Sequence, residues 1–168
     1  MAYRFDALKI LVVEDNPHMR KLVVTILQAF GTIQIFEAPD GNRAWTIMRE
    51  SNPDVVFLDW MMEGMSGLDL AKMVRTSPQS PNPFVPIIML SGYTQIEHIR
   101  QARDAGVNEF LAKPVSVAAV MSRLVSVIEH PRPYVRTKGY FGPCRRRHKR
   151  DEYQGPERRA AAATEAAA

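Results

Sequence analysis

Five short apolar runs punctuate the first 130 residues of this 168-residue chain. They are LKILVVED (Leu8 to Asp15), IQIFEA (Ile33 to Ala38), DVVFLD (Asp54 to Asp59), VPIIMLS (Val85 to Ser91) and VNEFLAKP (Val107 to Pro114). Each is too short for a helix and too continuously apolar for a strand wetted on one face. Runs of this kind, rich in Val, Ile and Phe, read as strands buried on both sides of a parallel sheet. The intervening segments change period. Met19, Leu22, Val23, Ile26, Leu27 and Phe30 recur at three- and four-residue spacing, and Gly31 supplies a stop. Asp40 and Ser66 stand where they can cap helices running through Ile47 and Val74. A fourth helix is predicted from about Gln95 to Ala105, before Gly106, and a fifth from Ser116 to about Ile128. Five strand–helix units in succession predict an α/β fold, a doubly wound parallel sheet in a three-layer sandwich spanning residues 1–130. Right-handed crossovers place helices on both faces.

The pattern stops at His130-Pro131-Arg132-Pro133, because proline lacks an N–H and pushes the preceding residue out of helical geometry. No apolar periodicity follows, so residues 131–168 read as a tail, disordered when no ligand is bound. The final AAAATEAAA is low-complexity and is assigned no function.

Charge separates the same two parts. The chain as a whole carries 22 basic and 18 acidic residues, a net +4. Residues 1–130 hold 12 basic and 14 acidic groups, whereas residues 131–168 hold 10 basic and 4 acidic. The excess positive charge belongs to the tail, which predicts an anionic partner for the tail alone. The single cysteine, Cys144, excludes an intramolecular disulfide and fits a reducing compartment. There is no signal-peptide core and no apolar stretch approaching about 18 residues, so a soluble cytoplasmic protein without membrane insertion is expected.

Ligands of open α/β sheets bind outside the carboxyl ends of the strands. The residues there are Glu14, Asp15, Asp59, Ser91 and Lys113: three carboxylates, a hydroxyl and a lysine. Taken singly, Glu14 or Ser91 is an ordinary polar strand terminus; five such residues at successive strand ends point to a site. Clustered carboxylates raise one another's pKa unless a cation sits among them, and a hard divalent ion such as Mg2+ takes oxygen ligands. One carboxylate can then act as a nucleophile toward phosphorus, with the metal, lysine and hydroxyl stabilising the transferred oxygens.

These residues, in the motifs LVVEDN, FLDWMMEGMSGLDL and FLAKP together with Ser91, resemble the CheY-like (flavodoxin-like) receiver domains of response regulators over residues 8–129. The resemblance implies that Asp59 is the phosphoacceptor. It implies that Glu14, Asp15, the Asp59 carboxylate and the Met61 backbone carbonyl hold Mg2+. Ser91 would bond the phosphoryl group and Lys113 pair with it, Phe110 would be the aromatic switch, and Lys113-Pro114 would be cis. A histidine kinase or phosphotransfer protein would be the phosphodonor. Glu63 (where many relatives have proline), Met61 and Tyr93 flank the site and are expected to alter phosphoryl lifetime rather than abolish chemistry. No enzymatic output is expected.

The tail holds a repeat. Tyr140, Gly142, Pro143, Arg145 and Arg146 recur thirteen positions on as Tyr153, Gly155, Pro156, Arg158 and Arg159, giving Y-x-G-P-x-R-R twice. Arginine offers a planar fork for phosphate or the guanine O6/N7 edge, and tyrosine offers a stacking surface. Asp151, between the copies, can accept from guanine N1–H and N2–H. Composition alone favours nonspecific binding of nucleic acid or anionic lipid. A period, paired glycines and interposed acids are not needed for that, and they favour a ligand with two guanines and two phosphates, the composition of cyclic di-GMP.

The segment from Arg136 to Arg159 is also similar to the arginine-rich extension of CheY-like cyclic di-GMP effectors, the Cle family. That resemblance implies contacts from Arg145, Arg146, Asp151, Arg158 and Arg159, with Tyr140, Arg147, His148 and Tyr153 as accessories. It further implies an output at a flagellar motor switch protein. The alternative is a phosphorelay receiver whose tail binds nucleic acid nonspecifically. His18, His98 and His130 lack metal-ligand spacing and are expected to be exposed or capping, and Trp45 and Trp60 to pack.

Overall fold

The computed structural model describes residues 5–93 and 95–145. Five parallel strands, β1 (Lys9–Val13), β2 (Gln34–Ala38), β3 (Val55–Asp59), β4 (Ile87–Ser91) and β5 (Glu109–Ala112), form one sheet in the order β2-β1-β3-β4-β5. Helices α1 (Pro17–Ala29), α2 (Gly41–Ser51), α3 (Gly67–Thr76), α4 (Ile96–Asp104) and α5 (Val117–Glu129) alternate with them. Each apolar run is divided between two cores by the two-residue period of a strand. Ile10, Val12, Val55, Phe57, Ile88 and Leu90 face α1 and α5, meeting Val23, Leu27, Val120 and Leu124. Their neighbours Leu11, Val13, Val56, Leu58, Ile87 and Met89 face α2, α3 and α4, meeting Ile47, Met48, Leu70, Val74 and Ala102. That is the doubly wound three-layer arrangement expected from the strand–helix alternation.

The helix starts follow the polar signals. Asp40 accepts from Arg43 N–H at 2.8 Å, Ser66 Oγ accepts from Asp69 N–H at 3.2 Å, and Ser116 Oγ accepts from Ala119 N–H at 3.2 Å. Asn16, which the apolar pattern did not single out, caps α1 by accepting from His18 and Met19 N–H. Two helices outrun their predicted ends. Met48 is buried, and α2 continues to Ser51 before Asn52 turns it off in the left-handed region at φ 45°. Arg75 is buried and carries α3 to Thr76.

The larger departure is in the tail. Residues 131–145 are not without order: β6 (Tyr134–Thr137) and β7 (Tyr140–Pro143) form an antiparallel hairpin. The strands are joined by the two-residue loop Lys138-Gly139, with Thr137 opposite Tyr140. The prolines that end α5 do not oppose a strand, and glycine at the second loop position suits the tight turns that match strand twist. The hairpin then docks where β4 and β5 begin. Asn108 is the hub. Its Oδ1 accepts from Ile87 N–H and from Arg75 Nη2, both at 3.0 Å, and its Nδ2 donates to Tyr134 Oη at 3.2 Å. Arg132 donates to the Asn108 carbonyl and, at 3.1 Å, to the Cys144 carbonyl. The Tyr134 and Phe141 rings both meet the Phe84 ring edge-on, at 5.3 and 5.2 Å. Gly142 lies so close to the α4–β5 turn that a Cβ there would stand 2.9 Å from Gly106 Cα and 2.6 Å from Tyr140 Oη.

Candidate functional site

The parallel sheet carries the ends of β1, β3, β4 and β5 to one edge, and the chemistry-bearing residues gather there. Glu14 and Asp15 follow β1, Asp59 and Ser91 are the last residues of β3 and β4, and Lys113 follows β5. Glu14 and Asp59 are buried, whereas Asp15 is exposed. One oxygen from each of the three carboxylates lies within 4.8 Å of the others. Lys113 Nζ reaches both buried acids, at 2.8 Å from Glu14 Oε2 and 2.8 Å from Asp59 Oδ1. The Lys113-Pro114 peptide bond is cis, as the resemblance implied.

One lysine does not settle this cluster. Burial pushes the Glu14 carboxyl above its usual range, opposed by the bond from Lys113, with the Asp59 charge pushing the same way as burial. Asp59 is raised too, by burial first, with Lys113 opposing and Asp15 adding repulsion. Lys113 is held above its ordinary value: burial lowers it, and its bonds to Asp59 and Glu14 outweigh that effect. An all-oxygen donor set with surplus negative charge is what a hard divalent cation satisfies. Glu14, Asp15 and Asp59 therefore fit Mg2+. Met61, whose carbonyl is the fourth expected ligand, lies in the loop after β3 with its side chain exposed.

The surrounding residues fix Asp59 and its neighbours. Gly67 opens α3 directly against the Asp59 backbone; a Cβ there would collide with the Asp59 carbonyl, and Gly67 N–H donates to Trp60 O at 2.9 Å. Only glycine allows this approach, and the sequence pattern alone did not isolate it from its neighbours in MSGLDL. Ser91 Oγ accepts from Tyr93 N–H at 2.9 Å, so the hydroxyl serves the turn before α4. Phe110, on β5, is half-buried against the core on the α2–α4 side. Trp60 and Trp45 pack, as expected. His98 does not match its expectation of an exposed or capping residue. It is half-buried, stacked on Tyr93 at 5.1 Å and edge-on to Trp60 at 5.4 Å, because α4 lays it over the loop that follows Asp59. His18 and His130 are exposed.

At the opposite end of the sheet the hairpin presents the first copy of the tail repeat. Tyr140 Oη donates to Pro143 O at 2.8 Å, and the Arg145 guanidinium sits 4.0 Å from the Tyr140 ring centre. Arg145 Nη1 also lies 3.4 Å from Asp104 Oδ1 at the end of α4. Arg146, Arg147, His148, Asp151, Tyr153, Arg158 and Arg159 lie outside the described residues. No helix among the described residues is long and apolar enough to cross a membrane.

Residues 10–125 match the response regulator receiver domain. The chain belongs to the response regulator receiver family. This receiver is 34% identical over 122 residues to the chemotaxis protein CheY-3 of Vibrio cholerae, covering 73% of this chain and 92% of the relative. It is 30% identical over 122 residues to the chemotaxis protein CheY of Pseudomonas aeruginosa, covering 73% and 97%. The solved structure of Vibrio cholerae CheY4 superposes with a TM-score of 0.67 at 30% identity, covering 72% of this chain and 98% of that one. The receiver match ends at residue 125, so the hairpin is an addition beyond the part this chain shares with the family.

Proposed function

We propose that this receiver is a single-domain signalling effector, phosphorylated on Asp59, whose arginine-rich tail binds cyclic di-GMP and whose output is at a flagellar motor switch protein. The receiver half of this reading rests on the acidic cluster. Glu14, Asp15, Asp59 and the Met61 carbonyl would hold Mg2+. Bound there, the ion would neutralise charge on an incoming phosphoryl group. An Asp59 carboxylate oxygen attacks the phosphorus of a phosphohistidine donor, the P–N bond breaks, and the imidazole leaves with its electron pair. Lys113, already within 2.8 Å of Asp59, then turns to the new phosphoryl oxygens. Ser91 exchanges its bond with Tyr93 for one to the same group. The relatives named above are chemotaxis proteins, which supports placing the output in motility.

The tail half rests on one observation above the rest: the duplicated Y-x-G-P-x-R-R, whose first copy brings Tyr140 and Arg145 together as ring and guanidinium. Tyr140, Arg145, Arg146, Arg147, His148, Asp151, Tyr153, Arg158 and Arg159 are the proposed ligand contacts. Calorimetry of the full chain with cyclic di-GMP tests this. The Arg158→Ala, Arg159→Ala double variant is expected to weaken binding at least tenfold, since each bidentate arginine–guanine contact contributes about 1–3 kcal/mol. Unchanged affinity sinks the two-clamp reading. Equal binding of single-stranded DNA with a steep salt dependence replaces it with nonspecific nucleic-acid binding.

A further inference from the structure

Tyr140 and Arg145, two of the groups that would read a guanine in the first repeat, are not free in this structure. The Arg145 guanidinium covers one face of the Tyr140 ring at 4.0 Å, the position a base would take to stack there. Its charge is engaged by Asp104 Oδ1 at 3.4 Å. Asp104 closes α4, and the same Oδ1 also accepts from Arg103 Nε and Nη2, both at 3.1 Å. The hairpin carrying Tyr140 cannot easily slide away from α4. Gly142 and Gly106 are in backbone contact, and Tyr134 and Arg132 are bonded to Asn108. Arg145 therefore has a fixed carboxylate beside it, supplied by the receiver and not by the tail.

We propose that Asp104 is an intramolecular competitor for the tail ligand. It holds Arg145 closed over Tyr140, so a guanine nucleotide must take the guanidinium from it. The inference rests on the cyclic di-GMP reading and adds to it a receiver residue outside the repeat. It also gives ligand capture a physical connection to the receiver, because displacing Arg145 removes the ion pair between the end of the hairpin and α4. That helix carries Ile96 and Ile99, both exposed, on its surface. By linkage, whatever draws Asp104 away from Arg145 favours the ligand to the same degree.

The size of the effect follows from exposure. Asp104 and Arg145 are half-exposed, and an exposed pair contributes about 0.2–1 kcal/mol, up to about fivefold in affinity. Titration calorimetry of the full chain with cyclic di-GMP is expected to show Asp104→Asn binding two- to fivefold tighter than wild type. Two controls separate displacement from charge alone. Glu97→Gln removes the same charge from the other end of α4, about 10 Å away, and is expected to change affinity by less than half as much. The gain from Asp104→Asn is expected to persist in an Arg103→Ala background, which removes the other arginine bonded to that oxygen. Equal or weaker binding by Asp104→Asn, or an equal gain from Glu97→Gln, overturns the competitor while leaving the ligand reading intact. No heat from the wild-type chain overturns the ligand reading, and the competitor falls with it.

Discussion

At the carboxyl end of the sheet Glu14 and Asp59 are buried around a single lysine, and both carboxyls are pushed above their usual range. At the amino end the buried Arg75 meets three oxygens, Gly106 O at 2.9 Å, Pro83 O at 2.8 Å and Asn108 Oδ1 at 3.0 Å. None of the three belongs to a carboxylate, and the Tyr134 ring lies 5.3 Å from the guanidinium carbon. Both ends bury charge, but they leave it in different conditions. Arg75 has its planar donors directed at fixed acceptors, the satisfied state in which a buried polar network rigidifies a structure. The carboxylates have an excess of like charge that only a further cation relieves. Burial of charge alone thus does not mark a functional site. What marks it is like charge gathered in one place with fewer counter-charges than it needs.

The sharpest way to break this comparison is Arg75→Ala. It leaves Asn108 and two carbonyls short of a donor beneath the hairpin. Leaving a buried acceptor without its donor costs about 1–3 kcal/mol, and three lose theirs together. Urea unfolding is expected to show that loss while Mg2+ affinity at the other end stays within twofold. A loss below about 1 kcal/mol makes Arg75 no more than a surface cation and ends the contrast.

Gly142→Ala is the next largest. The new methyl meets Gly106 Cα at 2.9 Å, a backbone contact that cannot rotate away. Overpacking of this kind costs about 1–3 kcal/mol. The expected result is faster amide exchange at Val135 and at Cys144, whose N–H donates to Pro133 O at 2.7 Å, with the sheet protected as before. Protection unchanged at both residues breaks the claim that the hairpin is docked through this contact.

These hairpin residues also show where reading from sequence stops. The five strands and both halves of the core followed from apolar runs, because burial on two faces leaves a dense signature that needs no partner to be recognised. Asp40 and Ser66 were readable as caps for a similar reason: the bond they make is local. The strand-end carboxylates were found because topology alone brings them together. The hairpin was missed because its stabilisation is not local. Tyr134, Val135 and Phe141 form strands of four residues, too short to show a period, and they are held by Asn108, Phe84 and Arg75 from distant parts of the chain. The one available signal was Lys138-Gly139 between β-formers, a two-residue turn that the neighbouring prolines and arginines obscured. Gly67 and His98 were missed for the same reason, since a close approach and an aromatic sandwich are visible only once the helices are placed.

The carboxyl end can be sharpened through pH and metal. Because the folded-state pKa values of Glu14 and Asp59 are raised, their contribution to stability is fully present below the ordinary carboxylate pKa, about 4. It is lost as pH rises through the folded values. In chelator, urea melts are expected to weaken from acid toward neutral pH, and millimolar Mg2+ is expected to remove that slope. Asp59→Asn places a neutral group where the surroundings already disfavour charge. It is expected to stabilise the metal-free protein at neutral pH by about 1 kcal/mol while abolishing phosphorylation. A destabilising Asp59→Asn in chelator shows that Lys113 does settle the cluster, and the two ends are then alike.

The smallest effect separates two roles within the hairpin itself. Tyr140 donates its hydroxyl to Pro143 O at 2.8 Å and lends its ring to Arg145. Tyr140→Phe removes the first and keeps the second. A neutral hydrogen bond of this sort contributes about 0.5–1.5 kcal/mol, so hairpin protection against amide exchange should fall by a few fold to about tenfold. Tyr140→Leu removes both the bond and the ring. If the ring matters to Arg145 beyond burying area, Tyr140→Leu is expected to exceed Tyr140→Phe by a further 0.5–1 kcal/mol, about the contribution of an exposed cation–π contact. The comparison of the two substitutions reads the ring separately from the bond, which neither does alone. Equal losses from both leave Arg145 merely near Tyr140, and the first repeat is then a hairpin strand with an arginine beside it and nothing more.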